Sequence, residues 1–248
     1  MSIYAIYFSP THSTETIVKM VANEFGKYTT IDLSMKDSNY NLKFDGSDLC
    51  IVGVPSYGGR VPQVAMERLR CFQSNGAKAI LITSYGNRDY DDTLLELQDA
   101  FVSMRFECIA AMAIVAEHSI MHQYATHRPN EEDLEQLKEF AHRIQKKNEV
   151  KNGIVPGKRP YKKYNGIPLK PKANASCIAC GLCAKECPVG AIPLDQPIKT
   201  DNKVCISCMR CIQVCPVQAR HVNSLLVTVA SLAMKKVCDV RKENELFL

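Results

Sequence analysis

Cys177, Cys180, Cys183 and Cys187, the last followed by Pro188, recur as Cys205, Cys208, Cys211 and Cys215, followed by Pro216. Both copies read C-x2-C-x2-C-x3-C-P, and 17 residues lie between Cys187 and Cys205. Three thiolates spaced this way on a tightly curling loop can bind three irons of one cubane. The fourth, held by a proline that ends the turn, points away to the other cluster. The spacing therefore assigns Cys177, Cys180, Cys183 and Cys215 to one [4Fe–4S] cluster, and Cys187, Cys205, Cys208 and Cys211 to a second. Small neighbours such as Ala179, Gly181 and Ser207 leave backbone N–H groups free to bond cluster sulfurs. Zinc also takes four thiolates, but its modules set C-x2-C pairs across a longer loop rather than triplets ending in C-P.

The chain has 12 cysteines, nine of them after residue 170, a distribution that fits metal chemistry rather than a disulfide framework. Cys50, Cys71 and Cys108 lie in apolar stretches and read as buried thiols. Residues 174–222 closely resemble bacterial-type two-cluster ferredoxins in this doubled motif.

The first 150 residues alternate strand and helix. Strands are expected at Ile3–Phe8, Thr29–Leu33, Leu49–Val54, Ala79–Thr83 and Cys108–Val115, the third apolar without alternation, as a buried parallel strand requires. Helices are expected at Ser13–Phe25, Pro62–Phe72, Asp91–Arg105 and Glu131–Lys147. This pattern predicts a doubly wound α/β domain with a five-stranded parallel sheet and any ligand at the C-terminal strand ends. From residue 151 to 175 interspersed Gly, Pro, Lys and Arg predict an extended basic linker. Residues 176–222 form the cluster module, a small α+β domain. Residues 223–248 add an amphipathic helix (Asn223–Lys236) and a tail, RKENELFL, whose apolar end docks back on the protein.

Three loops fall at those strand ends. Ser9, Thr11, Ser13 and Thr14 surround the start of the first helix, where free N–H groups and the helix dipole suit a phosphate. This turn resembles the flavodoxin phosphate loop, S/T-x-T-G-x-T, which holds the FMN phosphate. His12 stands where that motif has Gly, and either donates to the phosphate or gives the loop another shape. Pro55, Ser56, Tyr57, Gly58 and Gly59 form the second loop, and Ser84, Tyr85, Gly86, Asn87, Asp89, Tyr90 and Asp92 the third. Tyrosines on Gly-flexed loops offer flat partners to an isoalloxazine ring, with Tyr57 read on one face and Tyr90, or else Tyr85, on the other. The acidic run Asp89, Asp91 and Asp92 either lowers a flavin's potential or serves as a helix N-terminal cluster. Glu117 and His118 follow the fifth strand and are candidates for delivering a proton to reduced flavin, with a hydrogen-bonded loop as the alternative.

The whole chain resembles flavodoxin–ferredoxin fusion proteins of anaerobic bacteria and archaea, through PSYGGRVP, YGNRDYDD, PGKRPYK and RKENELF as well as the cysteines. The resemblance implies a flavodoxin-like domain with FMN, a ferredoxin-like domain with two [4Fe–4S] clusters, and electron passage between them.

Charge is split along the chain. Residues 1–150 carry five more acidic than basic side chains, and residues 151–248 ten more basic than acidic, for a net charge of +5. The basic part should seek an acidic surface, and the nearest is its own N-terminal domain. Lys158, Arg159, Lys162, Lys163, Lys170 and Lys172 read as a solvated linker, with recruitment of an acidic partner as the second reading. No aromatic stacking pattern or helix-turn-helix accompanies these charges, which speaks against nucleic acid. The N-terminus lacks a basic n-region and a cleavage site, and Leu225–Met234 is too short to span a bilayer, so no membrane insertion and a cytoplasmic location are expected. No Gly-rich nicotinamide fingerprint is present. The expected role is an electron carrier for a redox partner protein. An FMN-dependent oxidoreductase acting on a small molecule, and a ferredoxin with a flavin-free docking domain, are the alternatives. A homodimer is left open.

Overall fold

The computed structural model describes residues 1–147 and 155–248. The boundary between residues 150 and 151, at which the sequence ends the first domain and begins the linker, lies outside the described residues, as does Gly153. The elements run β1 (Ile3–Tyr7), α1 (Ser13–Phe25), β2 (Thr29–Asp32), β3 (Lys43–Asp45), β4 (Leu49–Pro55), α2 (Gln63–Leu69), β5 (Gln73–Asn75), β6 (Lys78–Tyr85), α3 (Thr93–Ser103), β7 (Glu107–Val115) and α4 (Glu131–Lys146). After them come β8 (Lys172–Ala173), α5 (Leu182–Lys185), α6 (Arg210–Gln213), β9 (Arg220–His221), α7 (Ser224–Cys238) and β10 (Glu245–Phe247).

β7, β6, β4, β1 and β2 lie side by side in parallel. Counting only these strands, the order is 2-1-3-4-5, the flavodoxin-like arrangement, with its switch point between β1 and β4. Side chains of β4 alternate between two cores. Cys50, Val52 and Val54 meet α2 and α3 through Ala65, Leu69, Leu94 and Phe101. Leu49 and Ile51 share the opposite core with Ile17, Val18 and Val21 of α1 and Leu137, Phe140 and Ile144 of α4. Apolar residues on both faces are what a central parallel strand needs.

A sixth strand joins the five expected from sequence. β10 pairs antiparallel with β7, Leu246 opposite Met112, and covers an edge that would otherwise expose unpaired N–H and C=O groups. The amide side chain of Asn244 fixes the approach: its Oδ1 accepts from Val115 N at 2.9 Å and its Nδ2 donates to Asp133 at 2.8 Å. Asp133 is also ion-paired to Arg128, both side chains nearly fully buried, and Arg128 Nη1 donates to Lys242 O at 2.6 Å. Burial works against the Asp133 charge, yet Arg128, the Asn130 amide and Asn244 hold its carboxyl below the usual carboxylate range. Its contribution is therefore complete above the unfolded value of about 3.9 and drains away as pH falls through the lower folded value. Asp133→Asn should cost about 3 kcal/mol at pH 7, and less as the pH falls below 4, read from urea unfolding at both pH values.

The linker is not loosely solvated. Asp92 accepts the amides of Lys158 and Lys162 at 2.8 and 2.6 Å, Arg159 pairs with Asp99 at 2.5 Å, and Arg60 donates to Lys162 O at 2.8 Å. Acidic groups of the first domain thus hold the basic segment, as the charge split anticipates. Within it β8 pairs with β9, a strand the Gly/Pro texture hides.

The two cysteine segments fold alike. Left-handed residues recur 28 positions apart, at Ala179 and Ser207, Gly181 and Met209, and Gly190 and Gln218. The single-turn helices α5 and α6 keep the same offset. Their repetition at non-glycine positions, where the left-handed region costs roughly 1 kcal/mol each, marks a shape imposed by function.

α7 differs from its amphipathic expectation. Val227, Ala230, Met234 and Cys238 face the protein, while Leu225, Val229 and Leu232 are exposed, so both sides of the helix are apolar. Among the described residues no helix is long and apolar enough to cross a membrane.

Candidate functional site

A cavity of about 300 Å³ opens at the C-terminal ends of β1, β4, β6 and β7, within the range of small-molecule sites. One end is built by the β1–α1 turn, through Ser9, Thr11, Ser13 and Thr14. The Ser9 hydroxyl accepts from Glu15 N at 2.9 Å and Thr14 Oγ1 meets Ser84 Oγ at 2.7 Å, which fixes the turn. The first-turn amides of Ser13 and Thr14 have no acceptor within the helix and stand at the wall. Pro55, Ser56, Tyr57 and Gly58 form one side, with Ser84, Tyr85, Gly86 and Asp89 opposite.

Five residues read from sequence as cofactor contacts lie outside these walls. His12 takes the left-handed conformation itself, with φ 66°, so the loop keeps the shape glycine would give it. Its ring is half exposed and turns away: Nδ1 meets Glu15 at 2.6 Å and Nε2 meets Arg210 at 2.9 Å. Arginine can only donate, so His12 Nε2 accepts and its Nδ1–H goes to Glu15. Glu15 is partly buried, yet hydrogen bonds from His12, Lys19 and Tyr7 hold it down at about 2. Tyr90, the first choice for the second ring face, instead packs edge-on against Tyr85 at 5.2 Å and donates to Glu245 of β10. Tyr85, the substitute, is the one that reaches the wall. Asn87 holds the C-terminal segment through Cys238 O and Val240 O, and Asp92 holds the linker. Gly59 has φ 88° and faces Asp91, where a Cβ has no room. Asp91 pairs with Arg88 and Lys162 and is turned to the linker rather than the cavity.

Glu117 and His118 both line the cavity, but their groups are engaged. Glu117 takes His122 Nδ1 at 2.6 Å and His127 N at 2.8 Å. His118 Nδ1 accepts from the amides of Ile120 and Met121, each at 3.2 Å, which leaves its proton on Nε2. Burial, helped by His122, lowers His118 to about 4, so at neutral pH it is a neutral donor and not a proton reservoir.

Further walls come from segments distant in sequence: Ile167, Pro168 and Leu169 of the linker, Ser207 of the second cysteine loop, and Ala230 and Met234 of α7. Sequence reading missed all six, because only the tertiary fold brings them over the sheet edge. Ser207 Oγ donates to Ile167 O at 3.0 Å and Lys170 Nζ to Cys205 O, so linker and cysteine loop close the cavity together.

Two smaller cavities lie in the cysteine module. Cys177, Cys180, Cys183 and Cys215 line one, and Cys187, Cys205, Cys208 and Cys211 the other. No group of three or more His, Cys, Asp or Glu side chains among the described residues is arranged to hold a single metal ion. Four thiols around a space fit the wider cubane instead. Ala191 N and Ala219 N each donate to sulfur at 3.2 Å, on Cys187 and Cys215, and Ser207 N to Cys205 at 3.4 Å, contacts that favour electron-rich sulfur. Cys180 is exposed, whereas Cys187, Cys208 and Cys211 are buried. The second cavity is thus the inner one. Tyr57, on the wall of the larger cavity, is near enough to the inner thiols to feel them. Burial pushes its phenol well above its ordinary value, with Cys208, Tyr164 and Cys205 adding to the effect.

Residues 176–219 match the family model of the 4Fe-4S dicluster domain. No curated protein matches the chain. Among solved structures, the flavodoxin of Streptococcus pneumonia TIGR4 is 23% identical over 58% of this chain and 98% of its own, with a TM-score of 0.41. Flavodoxin 2 from Bacillus cereus is 16% identical over 58% and 98%, with a TM-score of 0.43. Rubredoxin oxygen:oxidoreductase from Desulfovibrio gigas is 18% identical over 58% of this chain but only 35% of its own, with a TM-score of 0.41. At these scores the fold assignment rests on the strand order itself. The chain joins a flavodoxin-like domain to a 4Fe–4S dicluster domain.

Proposed function

We propose that this chain, a flavodoxin-like domain continuous with a two-cluster iron–sulfur domain, transfers electrons between FMN and its clusters and carries them to a redox partner protein. The observation that carries the reading is a shared wall. Ser207 lines the larger cavity and sits between Cys205 and Cys208, two of the inner four thiols. FMN, when bound, supplies one- or two-electron chemistry, and each cubane supplies one-electron exchange.

The residues present suit such a load. Ser9, Thr11, Ser13 and Thr14 and the start of α1 would take the phosphate, and Tyr57 and Tyr85 would flank the ring. Ile167, Leu169, Ala230 and Met234 cover the cavity with apolar groups and limit water beside the ring. Cys187, Cys205, Cys208 and Cys211 would ligate the inner cluster, and Ser207, between two of them in sequence, also lines the cavity that would hold the ring. Cys177, Cys180, Cys183 and Cys215 would ligate the outer one. Around that outer site Ile178, Leu182 and Val217 are exposed, an apolar rim suited to a transient protein contact.

Anaerobically purified protein should contain about eight irons, about eight acid-labile sulfides and about one FMN per chain. FMN released by acid would be identified by its fluorescence. Full iron with no flavin would leave a ferredoxin-type protein whose first domain only docks, and would overturn the electron route proposed here.

A further inference from the structure

The first domain's turn is held from outside by the cysteine module. Arg210 stands between Cys208 and Cys211 on α6, yet its guanidinium reaches across the domain boundary. Nη1 donates to Pro10 O at 3.3 Å and to His12 Nε2 at 2.9 Å, while Nη2 pairs with Glu186 at 2.5 Å. One turn further, Gln213 Nε2 donates to Thr11 O at 3.5 Å. Two consecutive carbonyls of the turn are thus drawn toward α6. A peptide whose C=O is drawn outward turns its following N–H the other way; behind the Pro10 carbonyl that is the amide of Thr11, a cavity-lining residue, while the His12 amide behind the Thr11 carbonyl closes the turn on Ser9 O at 3.3 Å. Ser207, from the same short segment of chain as Arg210, lines the same cavity.

We propose that Arg210 is a positioning residue for the flavin phosphate. In this arrangement the inner cluster and FMN hold each other, because the loop that ligates one sets the turn that binds the other. The proposal rests on FMN occupying the cavity. Arg210 touches neither the phosphate nor iron. It acts through Pro10, His12 and the placement of α6. Its own side chain is only 14% exposed, which holds the guanidinium in place between Glu186 and the turn, although the His12 ring it meets is half exposed. By linkage the effect must run both ways: an ordered cysteine loop tightens FMN, and bound FMN protects the inner cluster.

The test uses holoprotein purified under anaerobic conditions, with iron and sulfide content checked for every variant. FMN release is followed by the rise in fluorescence after dilution, and cluster loss by bleaching of visible absorbance in the presence of an iron chelator. Arg210→Gln should release FMN about tenfold faster than wild type while keeping its iron, with Arg210→Lys between the two. Added FMN should slow bleaching of about half the absorbance in wild type and have less effect in Arg210→Gln. Gln213→Ala, which leaves Arg210 and every cysteine in place, should shift release in the same direction by a smaller factor. If Arg210→Gln retains its iron and releases FMN at the wild-type rate, the coupling is refuted and the flavin reading stands. If Arg210→Gln loses iron on purification, the Gln213→Ala release rate decides the matter, and an unchanged rate refutes the coupling. A wild-type protein that carries and binds no FMN refutes both.

Discussion

A chain lacking both Cys177 and Cys187 should assemble neither cluster, whereas one lacking both Cys177 and Cys215 should retain the other cluster intact. The contrast follows from which thiols share a cavity. Cys187 is adjacent in sequence to the first triplet, but its side chain lies with Cys205, Cys208 and Cys211. Cys215 crosses in the opposite sense, to Cys177, Cys180 and Cys183. Each double alanine variant removes two of eight thiols, so composition and charge change equally. Iron analysis after anaerobic purification should give about four irons for Cys177→Ala/Cys215→Ala and close to none for Cys177→Ala/Cys187→Ala. The reverse pattern would establish that each motif binds its own cluster and that the cavities mislead. The variant retaining the inner cluster should also keep its FMN, since Arg210, Ser207 and the turn at His12 are untouched.

The second large effect is expected at Gly53, in the middle of β4. A Cβ there would overlap the side chain of Val18 and stand 3.0 Å from Thr14, both on α1. Neither neighbour is the free end of a flexible chain: Val18 is fully buried and Thr14 is tied to Ser84. Gly53→Val must therefore push α1 away from the sheet, at a cost of about 3 kcal/mol in urea unfolding. The displacement falls on the first turn of α1, so FMN content should drop more steeply than iron content. Gly53→Val with wild-type stability and full flavin would mean that α1 moves freely over β4, contrary to the packing described here.

The main architecture is readable in the sequence because it rests on local signals. Leu49 to Val54 is apolar on both faces, Ser13 to Phe25 carries helix periodicity, and the cysteine spacing encodes loop curvature directly. What stays hidden depends on contacts between distant segments. Tyr85 and Tyr90 are alike as sequence, and only β10, which supplies Glu245 to Tyr90, decides which of them reaches the cavity. Asn87 and Asp92 sit in a loop that looks built for a ligand, yet their side chains fix the tail and the linker. His12 looks like an obstacle to the phosphate turn when the motif is read as a demand for glycine. The demand is for a left-handed residue, and His12 meets it while using its ring for the neighbouring module. Met234 and Leu169 carry no chemical signature at all, since a cover needs only bulk and apolarity.

The pairing of β10 with β7 has a consequence for how such a protein can be divided. In the order of synthesis, every cluster ligand lies between the two strands of that pair. The iron–sulfur module is therefore an enclosed passenger of the α/β sheet rather than an appendage to it. Severing the chain ahead of the module would leave a naked rim of β7 backbone, ready to recruit strands from other molecules. Attempts to borrow the flavodoxin-like half as a stand-alone part should accordingly keep residues 240–248, spliced back or added as a separate peptide, to seal that rim.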